Sequence, residues 1–215
     1  MNWGLAALAA IVAWPVFREA RRKPVDAIRD QAPGQFASLS RGQTHYQWFG
    51  PEDGEVIVLI HGLTTPSFVW QSLTPMLTDK GYRVLVYDHY GRGYSDRPRD
   101  AQDEAFFTSH LRELLDHLGI THPVTLIGYS MGGSVVTAFT AKHPEKVKQT
   151  ILIAPAGMGH DLGLTTIITK NIPVIGDWLM LTFFPKSHRQ GREAERAGVT
   201  STVGNIFDMQ IAEQD

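Results

Sequence analysis

Short apolar strands alternate with helical segments through the middle of the chain, and this alternation restricts the fold more than any other feature. Continuous apolar, β-branched runs are typical of strands buried on both faces, and they lie at 56–60, 83–88, 124–128 and 150–154. Segments with helical spacing separate them, at 73–80, 103–118 and 131–143. Such alternation predicts an α/β fold, a mostly parallel sheet with helices on both faces.

The composition excludes several classes of function. A chain of 215 residues that is 43% hydrophobic and 20% charged suits one domain with a sizeable core. A formal net charge of -2 gives no basic surface, so no nucleic-acid partner is expected. The absence of cysteine excludes disulfides, thiolate zinc sites and a cysteine nucleophile. We expect neither a metal nor a cofactor.

The N-terminus combines an uncharged apolar run at 3–17 with a basic flank that ends at Lys23. A secretory signal has the opposite order, whereas the positive-inside rule would keep the basic side in the cytoplasm. We therefore expect a hydrophobic anchor, a transmembrane or interfacial helix, that makes the protein membrane-associated with its main domain facing the cytoplasm. The run is shorter than the roughly 20 residues that span a bilayer, so an amphipathic helix packed on the domain is the alternative.

The chain divides by composition into four segments. Residues 1–23 form the N-terminal anchor with its basic flank, and residues 24–35 form a polar linker. The core occupies 36–156 and opens with two short strands, which the Arg41-Gly42 pair joins as a hairpin. Residues 157–215 break the alternation and are interpreted as a partial helical cap or lid.

A Gly-x-Ser-x-Gly pattern lies where a predicted strand meets a predicted helix. The strand ends at Gly128 and the helix begins directly after Ser130, which is the context of a nucleophile elbow. Glycine is needed at 128 and at Gly132, because a Cβ atom there would crowd the strand and the helix. Ser130 is therefore the candidate nucleophile, at a helix N-terminus that favours developing negative charge.

The segment after the strand at 56–60 is expected to complete the site. A tetrahedral oxyanion needs two aimed N–H donors, and the backbone groups of Leu63 and Met131 would supply them. Gly62 lets the backbone come close to the reacting atoms. His61 is interpreted as a site-shaping histidine that bonds loop backbone, since the base arrives later in the chain in this arrangement.

A third motif follows the strand at 83–88 and contains two glycines between Asp88 and Asp96. We interpret both aspartates as groups whose hydrogen bonds shape the loop. A phosphate-binding loop is not favoured, because no helix follows directly and no Gly-Lys-Ser/Thr sequence is present.

Together the segments HGLTTPSFVW, DHYGRGYSDRP and GYSMGG resemble the α/β-hydrolase superfamily, in particular its serine esterases, monoacylglycerol lipases and meta-cleavage C–C hydrolases. The resemblance covers 36–156 well, as the N-terminal part of the core, and 157–215 loosely as a cap. It implies hydrolysis of a lipid-like or small carboxylic ester, with Ser130 as nucleophile and the oxyanion amides at Leu63 and Met131.

Other functions remain open beside the ester hydrolase. The same fold hosts C–C bond hydrolases and small-peptide peptidases, and a non-catalytic, membrane-tethered binding module would keep the cleft. The apolar side chains of the cap would either line an acyl pocket or pack the cap helices against one another: Ile172, Trp178, Leu179, Leu181, Phe183 and Phe184.

The catalytic triad of this superfamily follows the chain order Ser, acid, His. The histidines after Ser130 are His143, His160 and His188, and none follows a core strand with an acid placed to orient it; Asp161 is the remaining candidate acid. We therefore expect that the last strands are missing and that the chain is a fragment with little or no activity. Its strand at 150–154 would then form an exposed apolar edge.

Overall fold

The computed structural model describes residues 25–157 and, outside that range, positions 9, 10, 12–14, 17, 20, 21, 178 and 182. Contacts divide the chain into two units, Pro24–His160 and a second formed by Met1–Lys23 with Asp161–Asp215. All the predicted site residues lie in the first unit. Among the predicted cap residues, Ile172, Leu179, Leu181, Phe183 and Phe184 lie outside the described residues.

Strands and helices alternate as the sequence predicts. In chain order they are α1 (Asp26–Arg29), β1 (Gln35–Leu39), β2 (Gly42–Phe49), β3 (Val56–Ile60), α2 (Leu73–Thr78), β4 (Arg83–Tyr87), α3 (Glu104–His117), β5 (Val124–Tyr129), α4 (Met131–Lys142) and β6 (Val147–Ile153). Two 3₁₀ turns, Ser67–Ser72 and Pro144–Lys146, precede α2 and β6.

The strands form one six-stranded sheet in the order β1-β2-β4-β3-β5-β6. The pairs β1–β2 and β2–β4 are antiparallel, and the remaining pairs are parallel. Ile60 at the end of β3 pairs with Gly128 of β5. The segments that leave these two strands, which carry the motifs of interest, therefore start side by side at the carboxyl edge of the sheet.

Both faces of the sheet are covered, because alternate residues of its central strands pack into two separate hydrophobic clusters, one on each face. Val56, Val58 and Ile60 of β3 pack with apolar side chains of α3 and α4. Ile57 and Leu59 pack on the other face, around Trp70 of the 3₁₀ turn and α2. All five residues of β3 are buried, which explains the uninterrupted apolar run in the sequence.

Strand β6 begins earlier than predicted, at Val147. Lys148 and Gln149 interrupt the apolar pattern, and they are tolerated because β6 lies at the edge of the sheet and is exposed along most of its length. Its apolar residues are exposed as well, with Leu152 at 42%. The exposed apolar edge expected at 150–154 is thus present within the described part of the chain.

The expected membrane anchor is not supported. Among the residues that the structure describes, no helix has the length and apolar character needed to cross a bilayer. The expectation of a membrane-associated protein whose main domain faces the cytoplasm, held by a transmembrane helix in 3–17, is therefore wrong. The apolar run is too short for the hydrocarbon core, which takes about 20 helical residues.

Candidate active site

Ser130 occupies a sharp bend between β5 and α4. Its backbone has φ 52° and ψ -119°, a conformation that residues other than glycine adopt only at a cost. The Ser130 N–H donates to the Ile153 carbonyl at 3.0 Å, and its carbonyl accepts from Ala156 at 2.9 Å and from Gly133 at 3.0 Å. The side chain is half-buried. The backbone of β6 and the turn after it therefore hold the strained bend in place.

The glycines of the motif permit backbone to pack on backbone at this bend. A Cβ atom at Gly128 would lie 2.5 Å from the Gly132 carbonyl oxygen, and one at Gly132 would overlap the Ile60 carbonyl oxygen. The turn, β5 and the end of β3 are thus closer together than any side chain at these positions would allow.

The loop after β3 comes within van der Waals reach of Ser130. A Cβ atom built at Gly62 would lie 3.1 Å from the Cβ of Ser130. Within residues 25–157 the backbone N–H groups of Leu63 and Met131 donate to no acceptor. These two donors, which have no acceptor among the described residues, lie on the two segments that meet at the serine.

His61 is buried beside this loop and both ring nitrogens are used. Nε2 accepts from the backbone N–H of His89 at 2.9 Å, so the ring proton lies on Nδ1, which donates to the Gly62 carbonyl at 2.7 Å. Burial lowers the pKa of His61 to about 4, and the ring is neutral near pH 7. Because a trans peptide places N–H and C=O on opposite sides, this bond directs the Leu63 N–H away from His61.

Asp88 organises the loop after β4 from a buried position. Its carboxylate accepts from the backbone of Ser67 at 2.8 Å and of Tyr94 at 3.1 Å, and from Nδ1 of His45 at 2.8 Å. Burial alone would raise the pKa of Asp88, but the hydrogen bond and charge of His45 outweigh it and lower the pKa. The pKa of His45 is raised because its bonds to Asp88 and to the Pro33 carbonyl outweigh burial.

Asp96 closes the same loop from its other end. Its carboxylate accepts from the backbone of Gln43 at 2.7 Å and also pairs with Arg29. Both aspartates therefore shape the loop, as the sequence suggests.

Two residues near the site are missed by sequence reasoning. His45, on β2, pairs with Asp88, and Arg92 donates to the carbonyl of Leu63 at 3.2 Å. The only signal for Arg92 is its place between two glycines directly after a strand. His45 has none, since a histidine in an alternating strand is most often explained by packing.

No base for Ser130 is found in the described core. Across residues 25–157 no histidine or carboxylate is hydrogen-bonded to its hydroxyl. His143 terminates α4, where its Nδ1 lies 3.7 Å from Glu145. The other candidates, His160, Asp161 and His188, lie outside the described residues.

Comparison with known proteins places these features in a family. The family model described as the alpha/beta hydrolase fold matches residues 55–176. The chain is 38% identical over 111 residues to a cis-3-alkyl-4-alkyloxetan-2-one decarboxylase from Xanthomonas campestris pv. campestris, covering 48% of this chain and 37% of that enzyme. It is 36% identical over 109 residues to a 2-hydroxymuconate semialdehyde hydrolase from a Pseudomonas species, covering 49% and 38% respectively.

Solved structures give the same result. An esterase from Exiguobacterium antarcticum superposes with a TM-score of 0.54 at 28% identity, over 58% of this chain and 46% of the esterase. The chain thus spans less than half the length of each of these three relatives. The family match includes β3, the loop with Leu63 and the bend at Ser130. The chain therefore belongs to the alpha/beta hydrolase fold family of enzymes.

Proposed function

We propose that Ser130 is the nucleophile of an acyl-ester hydrolase acting on a lipid-like or small carboxylic ester. The observation that carries the proposal is the strained bend at φ 52°, with the loop of Gly62 packed against it. Strained backbone of this kind costs free energy and is found mostly at functional sites, where the surrounding structure enforces it. The similarity to the esterase from Exiguobacterium antarcticum supports the same reaction class.

The reaction would proceed through two acyl transfers. The Oγ of Ser130 attacks the ester carbonyl carbon, and the N–H groups of Leu63 and Met131 donate to the oxygen that becomes negative. The bond to the alkoxide oxygen then breaks, and the proton lost by the Ser130 hydroxyl is delivered to that oxygen, so the leaving group departs as the alcohol. Water next attacks the acyl-serine and releases the carboxylic acid with the serine restored.

We expect the 215-residue chain by itself to react slowly, because within 25–157 no imidazole takes the Ser130 proton. A serine without its base loses roughly 10⁴-fold or more in rate. Added imidazole would partly supply such a base.

Labelling by a fluorophosphonate, located by mass spectrometry, tests this assignment. The expected result is slow modification of the Ser130 peptide that imidazole accelerates and that Ser130→Ala abolishes. Ser134→Ala, four residues along the same helix and exposed, should be modified as the parent chain is. Modification that survives Ser130→Ala would contradict the proposal, and absence of any adduct would favour a binding module without catalysis.

A C–C bond hydrolase is the second candidate, favoured by the 36% identity to 2-hydroxymuconate semialdehyde hydrolase. Both activities would use the same serine. Parallel assays of p-nitrophenyl acetate and 2-hydroxymuconate semialdehyde separate them, with Ser130→Ala as the background for each. A larger Ser130-dependent rate with the semialdehyde would replace ester hydrolysis by carbon–carbon cleavage as the assigned reaction.

A further inference from the structure

Leu63 lies between two peptide groups, and a different side chain holds each of them. The peptide that joins Gly62 to Leu63 is held at its carbonyl by His61 at 2.7 Å. The following peptide is held at the Leu63 carbonyl by the Nε–H of Arg92 at 3.2 Å. The φ and ψ angles of Leu63 are the only soft torsions between these planes. The two hydrogen bonds together therefore fix the conformation of Leu63.

The guanidinium of Arg92 is itself held in place. Its Nη1 donates to the Tyr90 carbonyl at 3.1 Å and to the Gln102 side-chain oxygen at 2.5 Å. Its central carbon lies 5.8 Å from the centre of the Phe107 ring. A planar fork of several N–H donors can bind these carbonyls together with that of Leu63, whereas a lysine ammonium lacks the fixed geometry.

The backbone that carries Arg92 is rigid as well. The Arg92 N–H donates to the His89 carbonyl at 3.0 Å. Gly93 has φ +50°, and a Cβ atom there would overlap the buried carboxylate of Asp88. Since Asp88 is bonded on three sides, the Arg92 side chain extends from an anchored turn.

We propose that Arg92 is a positioning residue, which holds the Leu63 carbonyl so that the Leu63 N–H stays directed at the oxyanion forming on Ser130. The proposal rests on the proposed function, because it takes the Leu63 amide as an oxyanion donor. Arg92 acts through Leu63 and contacts no reacting atom.

Backbone order parameters of the ¹⁵N-labelled chain test the restraint without requiring turnover. For the Leu63 amide we expect a value of about 0.85 in the parent chain and below about 0.6 in Arg92→Met. Arg92→Lys should fall between them, and Arg99→Met, which alters an exposed arginine beyond the same loop, should match the parent. The Met131 amide should keep its value in every variant.

Two outcomes would overturn the proposal. An unchanged Leu63 value in Arg92→Met would show that the hydrogen bond restrains nothing. An equal loss of order at Met131 would show that Arg92 supports the whole fold and not Leu63 in particular. Should Arg92→Met fail to fold, Arg92→Lys carries the same comparison between the two amides.

Titration with acetate, a carboxylate that stands in for the oxyanion, separates this proposal from the proposed function. Acetate should shift the amide resonances of both Leu63 and Met131 in the parent chain. In Arg92→Met the apparent affinity should fall about fivefold, the effect of losing roughly one hydrogen bond, with the Leu63 response lost and the Met131 response retained. Acetate that shifts neither amide in the parent contradicts the oxyanion assignment, while the order parameters still decide whether Arg92 restrains Leu63.

Discussion

The backbone N–H of His89 donates a 2.9 Å hydrogen bond to Nε2 of His61. This bond requires an unprotonated nitrogen, and it leaves Nδ1 as the donor to the loop beside the serine. A proton added at Nε2 would break the bond and place a charge in a fully buried site. The geometry near Ser130 therefore depends on a neutral imidazole two residues before Leu63.

Buried histidines should make the fold sensitive to acid. Burial lowers the pKa of His61 to about 4 and that of His110 to about 3, below the 6.5 of an unfolded chain. The unfolded chain therefore binds more protons as the pH falls below 6.5, so stability is full above that pH and declines toward pH 4. Each imidazole should account for about 2 kcal/mol of loss between pH 7.5 and pH 5.

The variant His110→Gln tests this. Glutamine keeps a partner for Thr44, whose Oγ1 lies 2.8 Å from His110 Nε2, but does not titrate. Urea unfolding should show an acid-induced loss smaller by about 2 kcal/mol than in the parent chain. His122→Gln, which alters an exposed histidine, is the control variant. The prediction would be contradicted if the free energy of unfolding fell with pH by the same amount in His110→Gln and in the parent chain.

The bend at Ser130 predicts that glycine there stabilises the fold at the expense of reactivity. Relief of about 2 kcal/mol of strain, less about 1 kcal/mol of glycine entropy, should raise the free energy of unfolding of Ser130→Gly by about 1 kcal/mol. Chemical denaturation measures the change. Ser134→Gly, inside the helix, should have the opposite sign and cost about 0.5 kcal/mol. A Ser130→Gly variant less stable than the parent would argue against strain.

Close packing at the bend predicts a large effect of one methyl group. Gly132→Ala would push a Cβ atom into the Ile60 carbonyl oxygen and should cost at least about 3 kcal/mol. Gly119→Ala is the matched control, since no atom lies within 4 Å of its added Cβ and only the φ of +67° is unfavourable. It should cost about 1 kcal/mol, and equal losses in the two variants would refute the steric explanation.

Removing the charge of Asp88 should disrupt the loop that carries Arg92. In Asp88→Asn the amide cannot accept from Ser67, Tyr94 and His45 together, and the loss should reach about 3 kcal/mol or more. The pKa of His45, which NMR titration can follow, should fall because its anionic partner is gone. Asp53→Asn, in an exposed turn, should change neither quantity. A His45 pKa unaffected by Asp88→Asn would mean that the pair does not set it.

The exposed edge strand predicts self-association. Leu152→Lys should lower aggregation of the chain at a given concentration, as light scattering would measure, because charge on an edge strand opposes pairing with another strand. Met76→Lys removes a comparably exposed apolar side chain, 61% exposed, from a helix. It should have little effect on light scattering. An equal decrease in both variants would indicate that exposed apolar surface in general, and not the edge strand, causes the aggregation.

The sequence predicts the central strands well because burial on both faces leaves a continuous signal. Strand β3 lies where the run at 56–60 places it, whereas β6 starts early because its exposed first residues need not be apolar. The site is harder to predict, since its restraints join distant positions. Arg92 and Leu63 are 29 residues apart, and His45 and Asp88 are 43 apart. No local pattern encodes such a pair, so the sequence points to the candidate nucleophile, its flanking glycines and the loop after β3, but not to Arg92 or His45.

The bend at Ser130 is held by a backbone hydrogen bond to Ile153, the last residue of the edge strand β6. Edge strands separate from a sheet at lower free energy than central ones. On warming, β6 would therefore separate before the central strands. Ser130 would then lose its strained backbone conformation while the central strands stayed paired. Reactivity at Ser130 would then disappear at a lower temperature than secondary structure. Its loss would report that β6 has separated from the sheet before the central strands unfold.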